Sequence, residues 1–163
     1  MLTNLREFVA NKIEDRGQFI SSKQLTDLEK YYKQEQIRLA SLATLLNKIS
    51  QLTKESVDVI HQKYLLSFGY DSDDNIKLVS NIIDSFLKDI ALSMLAGDPS
   101  ILDKYRLNEF HEYLKSVNHS ATWYAEALKN IKEDHGLQNE ANKELHTYID
   151  YLISALSQKE VEH

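Results

Sequence analysis

The residues best able to do chemistry are scattered along the chain, and most clusters stop short of a working site. Asp71-Ser72-Asp73-Asp74-Asn75 has the opening rhythm of a calcium loop. Such a loop needs glycine at its sixth position, for the sharp turn, and a bidentate glutamate at its twelfth. Those positions hold Ile76 and Ile82. The acids therefore read as a solvated loop feeding a helix N-terminus, where negative charge is favoured. His111-Glu112 begins like a zinc-protease helix, but the second histidine of that motif is replaced by Lys115. The six histidines include no pair at four-residue spacing. A lone His61 or His146 is read as surface or satisfied core rather than as a haem ligand. There is no glycine-rich phosphate loop and no G-x-S-x-G elbow, so no enzyme is expected. Trp123-Tyr124 remains, two large aromatics at the start of a helix. They are either core, because aromatics dominate buried area, or the wall of a flat ligand site.

The elements that must position these residues are helices. At 163 residues the chain fits one domain with a sizeable core, and its 27% charged and 42% hydrophobic residues are ordinary for a globular protein. A net charge of −6 without a basic stripe argues against nucleic acid. No apolar run approaches 18 residues, so no membrane insertion is expected, and the N-terminus lacks an apolar signal core. The chain has no cysteine. That excludes disulfides, thiolate metal sites and thiol nucleophiles, and it is compatible with a reducing cytosol.

One proline and four glycines punctuate the sequence, and strand signals are nearly absent. Leu2, Leu5, Val9 and Ile13 form a first stripe with Phe8 beside it, and Gly17 ends that helix. Ser21 and Gln24 form a capping-box start for a long helix through Leu46. Another helix is expected from about 50 to 64, then a polar loop, LSFGYDSDDN, then a helix from about 76 to 96. In that last helix Ile76, Val79, Ile83, Leu87, Ile90 and Met94 repeat at helical spacing, with Ile82, Phe86 and Leu95 widening the face. Asp98 and Pro99 cap and start the next helix. Ser120 caps a helix ending at His135-Gly136, and Leu145, Tyr148, Ile149, Leu152 and Leu156 share one side of the last. Helices of mixed length fit a globin-like packing better than a regular four-helix bundle. The hairpin at 2–32 buries little by itself and needs either its own core or another subunit.

Four segments carry a family resemblance: GQFISSKQL (17–25), LAGDPSILD (95–103), TWYAEALKNIKEDHGL (122–137) and YIDYLISALS (148–157). In these, and in their order and spacing, the chain resembles the phycobiliproteins of phycobilisomes, most nearly the phycocyanin or allophycocyanin alpha type. The resemblance implies an all-α, globin-like fold over residues 1–163, with an N-terminal helical hairpin (1–32) for subunit pairing and a globin-like core (33–163). It also implies a partner, either a beta-type phycobiliprotein subunit or the chain itself, with a linker polypeptide as a further candidate. The family pairs an acid near the end of the first helix with a base on the partner's central helix. Glu14 and Lys88 stand at those positions.

The pigment site departs from the family pattern. The family tethers a linear tetrapyrrole by a thioether to a cysteine early in the central helix. Counting back from Ala96-Gly97 places that position at Val79. The family's pyrrole-binding aspartate, three residues on, corresponds to Ile82, and the basic residue before it to Asn81. Trp123 and Tyr124 match residues that line the family pocket. The resemblance therefore implies an unpigmented subunit in the cytoplasm, on the cytoplasmic face of the thylakoid. It would act by contact in phycobilisome assembly, structure, regulation or dismantling. A covalent bilin is excluded by the missing cysteine. A non-covalent binder of a linear tetrapyrrole or haem is the alternative.

Overall fold

The computed structural model describes residues 21–65 and 73–157. Every regular element among them is helical: α1 (Ser22–Ile60), α2 (Asp73–Ala96), α3 (Asn108–Ser116), α4 (Ala121–Glu133) and α5 (Asn139–Ser157). A π-helical turn, His61–Leu65, comes after α1, and a 3-10 segment, Pro99–Arg106, links α2 to α3. No strand occurs among the described residues. The chain groups into two compact units, residues 1–40 and 41–163. The first arm of the expected hairpin, Glu14 included, lies outside the described residues.

Local signals explain most boundaries. Ser21 and Gln24 form a reciprocal capping box: the Ser21 N–H donates to Gln24 Oε1 (2.9 Å) and the Gln24 N–H to Ser21 Oγ (3.1 Å). The expected break between Leu46 and Ser50 is absent, and α1 runs on to Ile60. No glycine or proline interrupts that stretch, and the buried series Leu42, Leu45, Ile49, Leu52 passes through it at helical spacing. α2 starts three residues earlier than expected, at Asp73, because Asp73 and Asp74 supply the acids that a first turn favours. It ends at Gly97, whose φ of 68° is the left-handed cap geometry that glycine takes without strain. Asp98 then caps the next element by accepting from the Ser100 N–H at 3.0 Å, but that element is 3-10 rather than α. Ser120 Oγ accepts from the Thr122 N–H, and α4 stops at Glu133, two residues short of the expected end.

The second unit holds one continuous core. Val79, Ile83, Phe86, Leu87, Ile90 and Met94 of α2 lie at its centre, with Leu45 and Ile60 of α1, Tyr124 and Leu128 of α4, and Leu145, Ile149 and Leu152 of α5. The expected apolar face of α5 is buried throughout. The expected face of α2 is buried except for Ile76, which is only partly buried, and Leu95, which is 55% exposed. Leu95 lies two turns beyond Lys88 and so shares the outward side of the helix. No helix among the described residues is long and apolar enough to cross a membrane.

Candidate functional site

Phe86 organises the chemistry around α2. Its ring is fully buried and takes three aromatic neighbours edge-on: Tyr105 at 4.8 Å, Tyr124 at 5.6 Å and Phe110 at 6.0 Å between centroids. Such edge-to-face contacts suit the aromatic quadrupole. Each neighbour comes from a different element, the 3-10 segment, α4 and α3, so one side chain ties three elements to α2.

A groove of about 670 Å³ opens beside this cluster. Leu78, Ile82 and Phe86 of α2 form one wall, Leu107, Phe110 and Tyr113 the other, with Asn81, Ser85, Lys104 and Glu109 as its polar members. The volume is in the range of small-molecule sites. Lys104 Nζ is already committed to Asp89 Oδ2 at 2.7 Å. Tyr105 also donates to Asp89, and burial, with that hydrogen bond second, holds its hydroxyl well above the usual tyrosine range. Asn81 also borders a second groove, of about 570 Å³, between α1 and α2.

The residues singled out for the vestigial pocket separate into two groups. Asn81 and Ile82 border the groove. Val79, Trp123 and Tyr124 do not; they belong to the core, which Ile82 also joins from the edge of the groove. Val79 has no exposed surface. Trp123 stacks on Tyr64 of the π turn, with centroids 6.0 Å apart and planes 26° apart. The Tyr124 hydroxyl bonds to His119 Nδ1 at 2.6 Å, and His119 Nε2 meets Asn75 Oδ1 at 2.6 Å. An amide oxygen only accepts, so the His119 proton sits on Nε2 and Tyr124 is the donor to Nδ1. Burial pushes the His119 pKa below its usual value. Burial, more than the nearby Tyr113, raises that of Tyr124.

Sequence reasoning misses Tyr105, Leu107, Phe110 and Tyr113, which close the groove. The local density of aromatics, with Tyr105, Phe110 and Tyr113 close together in the chain, rather than any period, is the available signal. Sequence spacing also leaves His146 lone, whereas it faces His135 with ring nitrogens 3.0 Å apart. His135 lies in the connection after α4 and His146 on α5, so they meet by tertiary packing that one-turn spacing within a helix cannot reveal. Among the described residues no cluster of three or more histidines and acids is placed to hold a metal.

The outward side of α2 is of another kind. Lys88 is 63% exposed in its side chain and pairs with Asp84, one turn back, at 2.7 Å. A surface pair of this sort contributes about 0–1 kcal/mol. Leu92 is 50% exposed and Leu95 55%, at four and seven residues beyond Lys88. Lys88, Leu92 and Leu95 thus form a solvated stripe on one helix face.

The groove does not fit the covalent tetrapyrrole that the family resemblance implies. The chain has no cysteine to form a thioether, and Val79 and Ile82, which the resemblance sets at the attachment and acceptor positions, are a sealed valine and an almost fully buried isoleucine. The rest of the chain nevertheless matches. It is 28% identical over 155 residues to the allophycocyanin beta chain of Microchaete diplosiphon, covering 91% of this chain and 95% of that one. It is 26% identical over 155 residues to the allophycocyanin beta chain of Mastigocladus laminosus, covering 91% and 96%. It is 23% identical over 164 residues to the phycoerythrocyanin alpha chain of a Nostoc species, covering 96% and 100%. Residues 9–156 match the phycobilisome protein family as a whole. The described helices and this match over nine-tenths of the sequence lead to one conclusion: the chain belongs to the phycobilisome protein family, whose fold is globin-like and all-α.

Proposed function

We propose that this phycobilisome protein is an unpigmented subunit that works through protein–protein contacts in phycobilisome assembly, structure, regulation or dismantling. The observation that carries the reading is Val79, a fully buried valine in a chain without cysteine, at the position where relatives would tether pigment. A buried aspartate at position 82 facing no pyrrole would cost about 1–3 kcal/mol in desolvation, and Ile82 removes that cost.

The partner is a beta-type phycobiliprotein subunit or a second copy, with a linker polypeptide as a further candidate. The N-terminal hairpin, residues 1–32, is the pairing device and residues 33–163 the globin-like core. Lys88 is the base that receives the partner's acid, and Glu14 the acid that the chain offers in return. Such a pair fixes partner and register more than affinity. Exposed Leu92 and Leu95 beside Lys88 supply apolar area for the same contact. The setting is the cytoplasm, at the cytoplasmic face of the thylakoid.

Co-expression with bilin biosynthesis tests the reading. The protein band should lack zinc-enhanced fluorescence on a denaturing gel. A fluorescent band refutes it. The aromatic groove favours one second reading, a non-covalent tetrapyrrole binder, and its volume and apolar walls are what such a ligand needs. A visible absorption band that survives gel filtration and vanishes on denaturation would establish that reading.

A further inference from the structure

The connection between α4 and α5 is closed by two histidines. His135 is buried, and its Nε2 lies 3.0 Å from Nε2 of His146 on α5, with the rings nearly perpendicular at 86°. The second nitrogen of His135 fixes the protonation of both rings. The backbone N–H of Leu137 donates to His135 Nδ1 at 2.9 Å, so that nitrogen is a bare acceptor. A neutral imidazole carries one N–H. His135 therefore holds its proton on Nε2 and donates it to a bare Nε2 of His146, whose own proton sits on Nδ1. One pattern, with both rings neutral, satisfies the two hydrogen bonds.

An added proton has two places to go, and each breaks a bond. On His146 Nε2 it sets two N–H groups head to head. On His135 Nδ1 it meets the Leu137 N–H. The surroundings do little to welcome it. Burial disfavours the charged form of His135 most, and His146 of α5 and Lys48 of α1 act the same way, while Asn142 of α5 and Asp134 of the connection oppose them. Lys48 Nζ also donates to the His135 carbonyl at 3.3 Å. The connection lies close over that lysine: Gly136 has a φ of +74°, and a Cβ there would meet Lys48 Nζ at 2.3 Å.

Two convergent ring nitrogens also suggest a metal site, but the tautomer argues against it. A histidine bound to metal through one nitrogen donates the N–H of the other. Here that other nitrogen of His135 faces a donor.

We propose that the His135–His146 pair is an acid-sensitive latch that holds residues 134–138 against α5 and Lys48 while both rings are neutral and releases them on the first protonation. Histidine is the side chain whose ordinary titration falls in the range where such a switch is useful.

The test uses the full chain and two readouts. Nitrogen-15 spectra of the imidazoles at about pH 7.5 should show His135 protonated on Nε2 and His146 on Nδ1. Hydrogen-exchange protection of the Leu137 amide should fall by up to about tenfold per pH unit once the pair titrates, while amides in the middle of α2 keep theirs. His146→Gln offers a carbonyl that accepts from His135 Nε2–H but does not titrate, so its loss of protection on acidification should be shallower. A proton on His135 Nδ1 at neutral pH overturns the latch. So does a parallel loss of Leu137 protection in the wild type and in His146→Gln. If that variant does not fold, the tautomers of the wild-type rings decide alone.

Discussion

The inner and outer sides of α2 differ in what holds them. On the inner side Val79, Ile83, Phe86, Leu87, Ile90 and Met94 are sealed, and every one touches the shared core. On the outer side Lys88, Leu92 and Leu95 stand half or more in solvent, and the ion pair of Lys88 with Asp84 is local. Towards the N-terminal half of the helix Asn81, Ile82 and Ser85 border the groove. One helix thus carries a packed face that tolerates little, an outward face that costs folding little to change, and a strip whose chemistry decides what the groove accepts. Within that strip Ile82 is almost fully buried.

The inner side should fail first. Phe86→Ala removes the ring on which Tyr105, Phe110 and Tyr124 converge. It should cost about 3–5 kcal/mol, read as a fall in the urea midpoint with an unchanged slope. Ile82→Asp puts a carboxylate where an isoleucine now packs as core. Lost burial and carboxylate desolvation together should cost roughly 3 kcal/mol at neutral pH. A neutral result would show that the groove solvates position 82 and would weaken the contrast between strip and inner face.

Much of this is legible in the sequence, because helix period and capping chemistry are local. The Ser21/Gln24 box, the Asp98 cap, the glycine stop at Gly97 and the buried face of α5 all come from residues within a turn or two of one another. The division of α1 expected near Leu46 does not occur because no breaker separates Leu46 from Ser50, and the core stripe through Ile49 carries the helix across. The groove is only half legible. Counting places Asn81 and Ile82 on α2, the helix of one wall, but the opposite wall comes from Leu107, Phe110 and Tyr113, placed by packing that leaves no periodic trace. Trp123 and Tyr124 show why aromatics at a helix start are ambiguous. Their bulk marks burial, and only tertiary partners, Tyr64 and His119, decide that they face the core rather than the groove.

A smaller effect should come from the polar chain behind the inner face. Tyr124→Phe deletes the donor to His119 Nδ1 and leaves a buried acceptor unpaired. The cost should be about 1–2 kcal/mol, well below that of Phe86→Ala. The same histidine sets a pH dependence. Its folded pKa lies below the usual 6.5 because of burial, so between the two values the unfolded chain binds more protons. That contribution to stability is complete above about pH 6.5 and is lost as pH falls below it. Urea midpoints measured from about pH 7.5 down to about 5 should therefore decline, and His119→Gln should reduce the slope. A decline as steep in His119→Gln as in the wild type would assign the acid sensitivity elsewhere.

The outer side should show the smallest change in folding and a clear change in association. Leu92→Ser and Leu95→Ser replace side chains that are already half solvated, so each should alter stability by only about 0.5 kcal/mol. Lys88→Glu loses one exposed pair with Asp84 and sets two acids one turn apart, an effect of roughly a few tenths of a kcal/mol. On the partner contact the order reverses. If this stripe meets a phycobiliprotein subunit or a second copy, Lys88→Glu should lower the mass seen by light scattering. Glu14→Lys on the opposing chain should partly restore it, because the charges then match again in the opposite sense. An unchanged mass in both single variants would remove this pair from the contact. An unchanged mass in Leu92→Ser and Leu95→Ser as well would leave the outer face of α2 as plain solvated surface.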